Sequence, residues 1–252
     1  MRTQQYQTHV SVNENPSVNN PHTFANLVAL NGLCERETVR YLQVIVAEMY
    51  AQTLGLTALD LNSGRGVSAM ALAELGFQVA AYDMHRQSIS ILQKIAVHQE
   101  LNVSFGMGGI FKLETLQKKF DLIHDADCLT NMPNQEERAK FLRSVKKTLA
   151  ADGKFVISCK VQSASYDPSD SFESLRMDEN HVLWRQTPES EAPGVVKAQG
   201  KYWTASKCIP PQEILRQELL NAGFAILSED LEVVPGNNPA LLRLVLTSAE
   251  GC

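Results

Sequence analysis

Short apolar runs alternate along this chain with stretches in which apolar residues recur every three or four positions. The runs near 57–61, 77–82, 102–105, 120–124 and 154–160 predict strands, and the periodic stretches near 66–75, 85–99 and 134–149 predict amphipathic helices. Strands that are apolar on both faces and separated by helices predict a parallel sheet, because right-handed crossovers lay helices over each face. Two further helices precede the first strand. In NPHTFANLVALNGL, from Asn20, a Pro stands in the first turn, Phe24, Leu27, Val28 and Leu30 make an apolar side, and Gly32 terminates the helix. Glu35 to Gln52 then presents Val39, Leu42, Val44, Ile45 and Met49 on one face before Gly55. Near the other end, Pro211 to Asn221 predicts a helix closed by Gly223. Two strands follow it, FAILSEDLEVV and ALLRLVLTS, joined by PGNNP. So short a linker predicts a hairpin, with the last strand antiparallel to its neighbour.

The periodicity breaks in two places. Residues 1–20 are rich in Asn, Gln, Ser and Thr and are expected to form a mobile polar tail. Val161 to Ile209 is too long for an idle connection; it carries Tyr166, Phe172, Arg176, His181, Trp184, Arg185, Tyr202 and Trp203, and so both tryptophans of the protein. Residues 21–252 therefore predict one doubly wound α/β domain, with N-terminal helices over 21–54 and an inserted cap over 161–209.

A chain of 252 residues buries a substantial core, and a net charge of −5 offers no basic face for nucleic acid. Five scattered cysteines without a CxxC spacing argue against a disulfide framework and against a zinc site, and point to the reducing cytoplasm; no metal is expected. No run of about 18 apolar residues predicts a membrane span.

The candidate chemistry lies at the end of the first strand, in LDLNSGRG, residues 59–66. A strand that ends in a glycine turn and feeds a helix brings backbone N–H groups up to a ligand's polar tail. Asp60, just before the turn, disfavours a pyrophosphate and favours a ligand with positive charge. Asp83 ends the second strand at the spacing where such folds place a carboxylate on ribose hydroxyls, although an acid there also suits the N-terminus of the next helix. Ribose at one acid and a cation at the other suggest S-adenosylmethionine. Gly64, Gly66 and Ala69 also satisfy a loose GxGxxA dinucleotide pattern, so an NAD(P)-dependent oxidoreductase is the alternative.

With these residues in view, Asp60, Gly64, Gly66 and Asp83 resemble the first two motifs of the class I, Rossmann-like S-adenosylmethionine-dependent methyltransferases. FDLIHDADCL at 120–129 and LAADGKFVISCK at 149–160 resemble that family's fourth strand with its catalytic-face loop, and the helix, turn and fifth strand after it. Two positions depart from the pattern. Asn62 stands where the family's first turn glycine belongs, and Gly109 stands where many members carry an acid facing the adenine. Asn tolerates the left-handed conformation better than most residues, so the turn is expected to persist. Loss of catalysis, leaving a regulatory protein that binds the cofactor, is the second alternative these departures raise.

The resemblance implies that Asp60 and Gly64 hold the amino-acid end of the cofactor, with Asn62 also among the residues that bind it, that Gly66 admits its close approach, and that Asp83 binds ribose. Tyr82 and Met84, flanking Asp83, are candidates to sandwich the adenine. Asp125 follows the fourth strand, beside the position of the transferred methyl group, and is the candidate acid facing the acceptor. Cys128 is expected to be structural, His124 to have a hydrogen-bonded packing role, and His181 to be the better-placed base. The aromatic insertion leaves the carboxyl end of the fifth strand, where ligands sit in such folds, which suits a small-molecule acceptor receiving the methyl group by in-line displacement. S-adenosylhomocysteine would be the other product.

Overall fold

The computed structural model describes residues 32–83, 86–108, 113 and 116–249. The expected tail, most of the first predicted helix, Met84 and Gly109 lie outside the described residues. The alternation of elements follows the hydrophobic pattern: α1 (Gly32–Met49), β1 (Thr57–Leu61), α2 (Val67–Glu74), β2 (Gln78–Asp83), α3 (Arg86–His98), β3 (Val103–Met107), β4 (Phe120–Ala126), α4 (Gln135–Thr148) and β5 (Leu149–Val161). Gly32, expected to end a helix, instead begins α1.

Seven strands form one sheet in the order β10-β11-β5-β4-β1-β2-β3, where β10 is Phe224–Glu232 and β11 is Ala240–Ser248. The pairs among β1 to β5 are parallel, while β11 runs antiparallel to both β10 and β5, as the hairpin predicts. The fold is the expected doubly wound, mostly parallel α/β sheet. The LAADG segment is a bulged start to β5 rather than the end of a helix and a turn. Phe120 of β4 pairs with Leu149 and Leu122 with Lys154, so the intervening residues bulge. Gly153 fits there because a Cβ would stand 2.9 Å from the Phe120 carbonyl oxygen.

Side chains alternate across the pleat, so each strand contributes to two cores. One core packs Leu59, Leu61, Ile123, Phe155, Ile157 and Leu244 against Phe141, Leu142 and Val145 of α4, and Leu215 and Leu219 of α6 (Gln212–Asn221). The other packs Ala58, Val79, Leu122, Val156 and Val245 against Leu42, Ile45 and Val46 of α1, Leu72 of α2 and Ala96 of α3. Val44, predicted on the apolar face of α1, is instead 45 % exposed: the helix buries a narrower stripe than its sequence offers. Two residues along from the apolar members of this second core, with the same parity, stand Asp60, His124, Ser158 and Arg243, all buried. The polar groups thus gather on one face of the sheet, under α1.

Between β5 and α6 the insertion forms α5 (Pro168–Ser171) and a four-stranded antiparallel sheet, in the order β6 (Leu175–Met177), β7 (Val182–Thr187), β9 (Lys201–Cys208) and β8 (Val195–Ala198). The Arg176 guanidinium lies 4.3 Å from the Trp203 ring centre and 5.8 Å from that of Trp184. Trp184 Nε1 donates to Asp178 at 2.8 Å. These aromatics therefore organise the inserted sheet itself. Its last strand returns to the main domain, where Cys208 N donates to the Thr130 carbonyl at 2.8 Å.

Candidate active site

The turn after β1 is built from left-handed residues. Asn62 has φ 59°, Gly64 φ 51° and Gly66 φ 72°, so Asn62 takes the conformation of the glycine it replaces. Its Nδ2 also reaches the Ala126 carbonyl at 3.4 Å, tying the turn to the end of β4. The two glycines differ. A Cβ on Gly64 would meet only the Asn62 carbonyl oxygen, at 3.8 Å, so its outer side is open. A Cβ on Gly66 would stand 3.0 Å from Leu92 and 3.2 Å from Phe105. The space beside Gly66 is taken by the packing of α2 against α3 and β3, so its lack of a side chain is already required by the fold.

Asp83, the last residue of β2 and 4 % exposed, accepts the Gly64 N–H at 2.7 Å. A carboxylate and the open glycine are thereby fixed against each other. Asp60 is 1 % exposed and pairs in register with His124 of β4, whose Nδ1 lies 2.7 Å from Asp60 Oδ1. Among the described residues, the second Asp60 oxygen, the Ser63 hydroxyl, His124 Nε2 and the Ser158 hydroxyl are buried without a hydrogen-bond partner. A buried polar atom left unpaired costs about 1–3 kcal/mol, so several at one sheet end mark a place prepared for a polar ligand.

Beyond β4 the chain turns through Asp127, at φ 71°. Asp125 is fully buried, and its two oxygens accept the N–H groups of Cys128 at 2.7 Å and Leu129 at 3.1 Å. Burial pushes its carboxyl up to about 6, against the lowering effect of those N–H groups and of His124. The expectation that Asp125 faces an acceptor therefore meets a side chain whose oxygens already hold the loop. Asp127 accepts from Thr130 Oγ1 at 2.6 Å and pairs with Lys207 Nζ at 3.2 Å. Burial raises its carboxyl, but Lys207 and Lys160 outweigh that and hold it below the ordinary range. Burial lifts the Cys128 thiol far above its ordinary value, which keeps it protonated and unreactive, in line with a structural role.

The remaining candidates lie further out. Tyr82 is half-buried and its ring covers Gly106, its register partner on β3, where a Cβ would stand 2.7 Å from Cε1. It packs against the core under α4 and α6, whereas Asp83 points to the opposite face of the sheet. His181 occupies a left-handed turn before β7, at φ 60°, where its N–H donates to the Asp178 carbonyl and its carbonyl accepts from Ile209 N. No hydrogen bond or ion pair among the described residues links it to Asp125. The Asp60–His124 pair is what sequence reasoning missed: each of the two predicted strands carries a polar residue among apolar ones, but only the pairing of β1 with β4 makes them neighbours.

An S-adenosyl ligand fits this donor set. Asp83, at the end of β2, would suit ribose hydroxyls, the open side of Gly64 would leave room for close approach, and the Asp60 oxygen unpaired among the described residues would suit an ammonium group. Among the described residues no group of three or more His, Cys, Asp or Glu is arranged to hold a metal ion, and no helix is long and apolar enough to cross a membrane.

Comparison with known proteins agrees. Over 106 residues the chain is 32 % identical to the cypemycin N-terminal methyltransferase of a Streptomyces species, covering 42 % of each protein. Over 128 residues it is 30 % identical to the norajmaline N-methyltransferase of Rauvolfia serpentina, covering 50 % of this chain and 42 % of that one. The matched segment thus spans less than half the length of either relative. An S-adenosylmethionine-dependent methyltransferase from Clostridium acetobutylicum ATCC 824 has a similar structure, with a TM-score of 0.60 at 16 % identity over 90 % of this chain and 97 % of that one. Residues 52–207 match the family described as "Methyltransferase domain", so this chain belongs to that methyltransferase family, whose methyl donor is S-adenosylmethionine.

Proposed function

We propose that this chain transfers the methyl group of S-adenosylmethionine to an amine nitrogen of a small molecule, within one domain capped by residues 161–209. The observation that carries the reading is the open Gly64 turn with Asp83 and Asp60 buried on one face of the sheet beside it. The choice of nitrogen draws support from the two curated relatives, both named for N-methylation or for an N-terminal acceptor.

When bound, the cofactor supplies a methyl group activated by a sulfonium. The chain's residues bind, orient and exclude water, and orientation alone is worth ~7–11 kcal/mol. Asp83 holds ribose, while Asp60, Asn62 and Gly64 hold the amino-acid end. Asp125 shapes the Asp127–Thr130 segment through the N–H groups of Cys128 and Leu129. His181 remains the candidate proton acceptor, carried by the inserted sheet.

Calorimetric titration with S-adenosylmethionine, S-adenosylhomocysteine and the nicotinamide dinucleotides tests the reading, alongside Asp83→Ala. The sulfonium compound is expected to bind, and the variant to lose roughly 10- to 100-fold in affinity, the value of hydrogen bonds to a carboxylate. Preference for a dinucleotide, or undiminished binding by Asp83→Ala, would overturn the assignment.

A further inference from the structure

The roles above leave the enclosed His124 unused. His124 is 0 % exposed, and it is the hydrogen-bonding partner of Asp60 among the described residues. The other charged groups of this strand end are engaged elsewhere: Asp125 on the N–H groups of Cys128 and Leu129, Asp127 on Thr130 and Lys207, Asp83 on Gly64. We propose that His124 is a positioning residue for the cofactor's aminoacyl arm: it fixes Asp60 Oδ1, so that Oδ2 is the oxygen presented to the arm's ammonium group. The inference rests on the cofactor assignment made above.

Three observations converge on it. Parallel pairing of β1 with β4 sets Asp60 directly across from His124, so the sheet itself maintains the 2.7 Å contact. For the ring to donate to Asp60 Oδ1 its proton must sit on Nδ1, and Nε2 is then the nitrogen left unpaired among the described residues. Asp60 Oδ2 is then buried with no partner among the described residues, and the Ser63 hydroxyl, in the adjoining turn, is likewise unpaired among them. One carboxylate oxygen and one hydroxyl are the complement of an ammonium and a carboxylate on the same carbon, which is what the aminoacyl arm carries. A carboxylate tethered by one oxygen presents the other without paying rotational freedom at the moment of binding.

Binding measurements on the full chain decide the matter with two probes. S-adenosylhomocysteine carries the aminoacyl arm; 5′-methylthioadenosine keeps the adenosine and the thioether and lacks it. His124→Leu is expected to weaken S-adenosylhomocysteine roughly tenfold or more and to leave 5′-methylthioadenosine unchanged. In His124→Asn the side-chain amide stands near the place of Nδ1 and should restore the loss; in His124→Gln it reaches the place of Nε2 and should not. Should the leucine variant fail to fold, the contrast between Asn and Gln decides alone. Equal loss for both probes, no loss for either, or equal rescue by Asn and Gln would overturn the proposal. Failure of the unaltered protein to bind either probe would instead remove the cofactor assignment.

Discussion

Gly64 and Gly66 stand two residues apart in the same turn, yet a methyl group added at each meets different surroundings. Gly66→Ala forces Leu92 and Phe105 apart at a left-handed position and should destabilise the protein by roughly 1–3 kcal/mol, read from urea unfolding. Gly64→Ala meets open space, so its larger effect should fall on the affinity for S-adenosylhomocysteine. Asp125 gives a pH signature. Its carboxyl is raised by burial to about 6, so in the pH range from about 4 to 6 the folded state keeps a proton that the unfolded state releases. That contribution is complete below about pH 4 and is lost as the pH rises past 6, on the order of 3 kcal/mol. Asp125→Asn removes it, so the variant's stability deficit should shrink between pH 4.5 and 7; a constant deficit would refute the burial argument. His181→Asn suits the left-handed turn and should leave stability within ~0.5 kcal/mol while lowering turnover ~10²-fold or more. Unchanged turnover would remove His181 from the mechanism. At this scale the glycine turn and its acids were legible because their residue types and spacing are local. The partnership of Asp60 with His124 was not, because 64 residues of chain separate them and only strand order brings them together.

The inserted sheet is joined to the main domain close to the loop after β4. The contacts are the backbone bond from Cys208 to Thr130 and the ion pair between Lys207 and Asp127. Lys207→Met should cost less than about 1 kcal/mol, because the pair is partly exposed. It should nevertheless speed amide exchange along Asp127–Thr130, and unchanged exchange would show that the ion pair does not help to hold the loop. In the main sheet β1 to β5 were legible as apolar runs, and β10 and β11 through the short PGNNP linker that joins them. The inserted strands were hidden: VLWRQT and KYWTASKC mix aromatics with Arg, Lys and Thr, so their alternation is weak beside the surrounding Ser, Asp and Glu. Arg176 on the two tryptophan rings ties three of these strands together, a contact that their pairing creates and their alternation does not announce.

Across the whole molecule, the sheet divides its duties between faces. The core under α4 and α6 is almost entirely apolar, with Phe155 and Phe224 ring centres 5.5 Å apart. Phe155→Ala should cost about 3–5 kcal/mol and leave the arrangement of the site intact, which thermal unfolding and cofactor titration together would show. The face under α1 holds the buried polar groups, and Arg243 of β11 extends the row, bonded to Asp230 at 3.1 Å and Glu232 at 3.0 Å. That β11 lies between β5 and β10, and not at the rim, has a consequence for how the protein is made. While the chain is being synthesised, β5 presents an unpaired edge until residues 240–248 have emerged, some eighty residues after β5 itself. The nascent chain must keep that apolar edge from pairing with a neighbour in the meantime, so aggregation during synthesis, rather than instability afterwards, is the hazard this strand order creates.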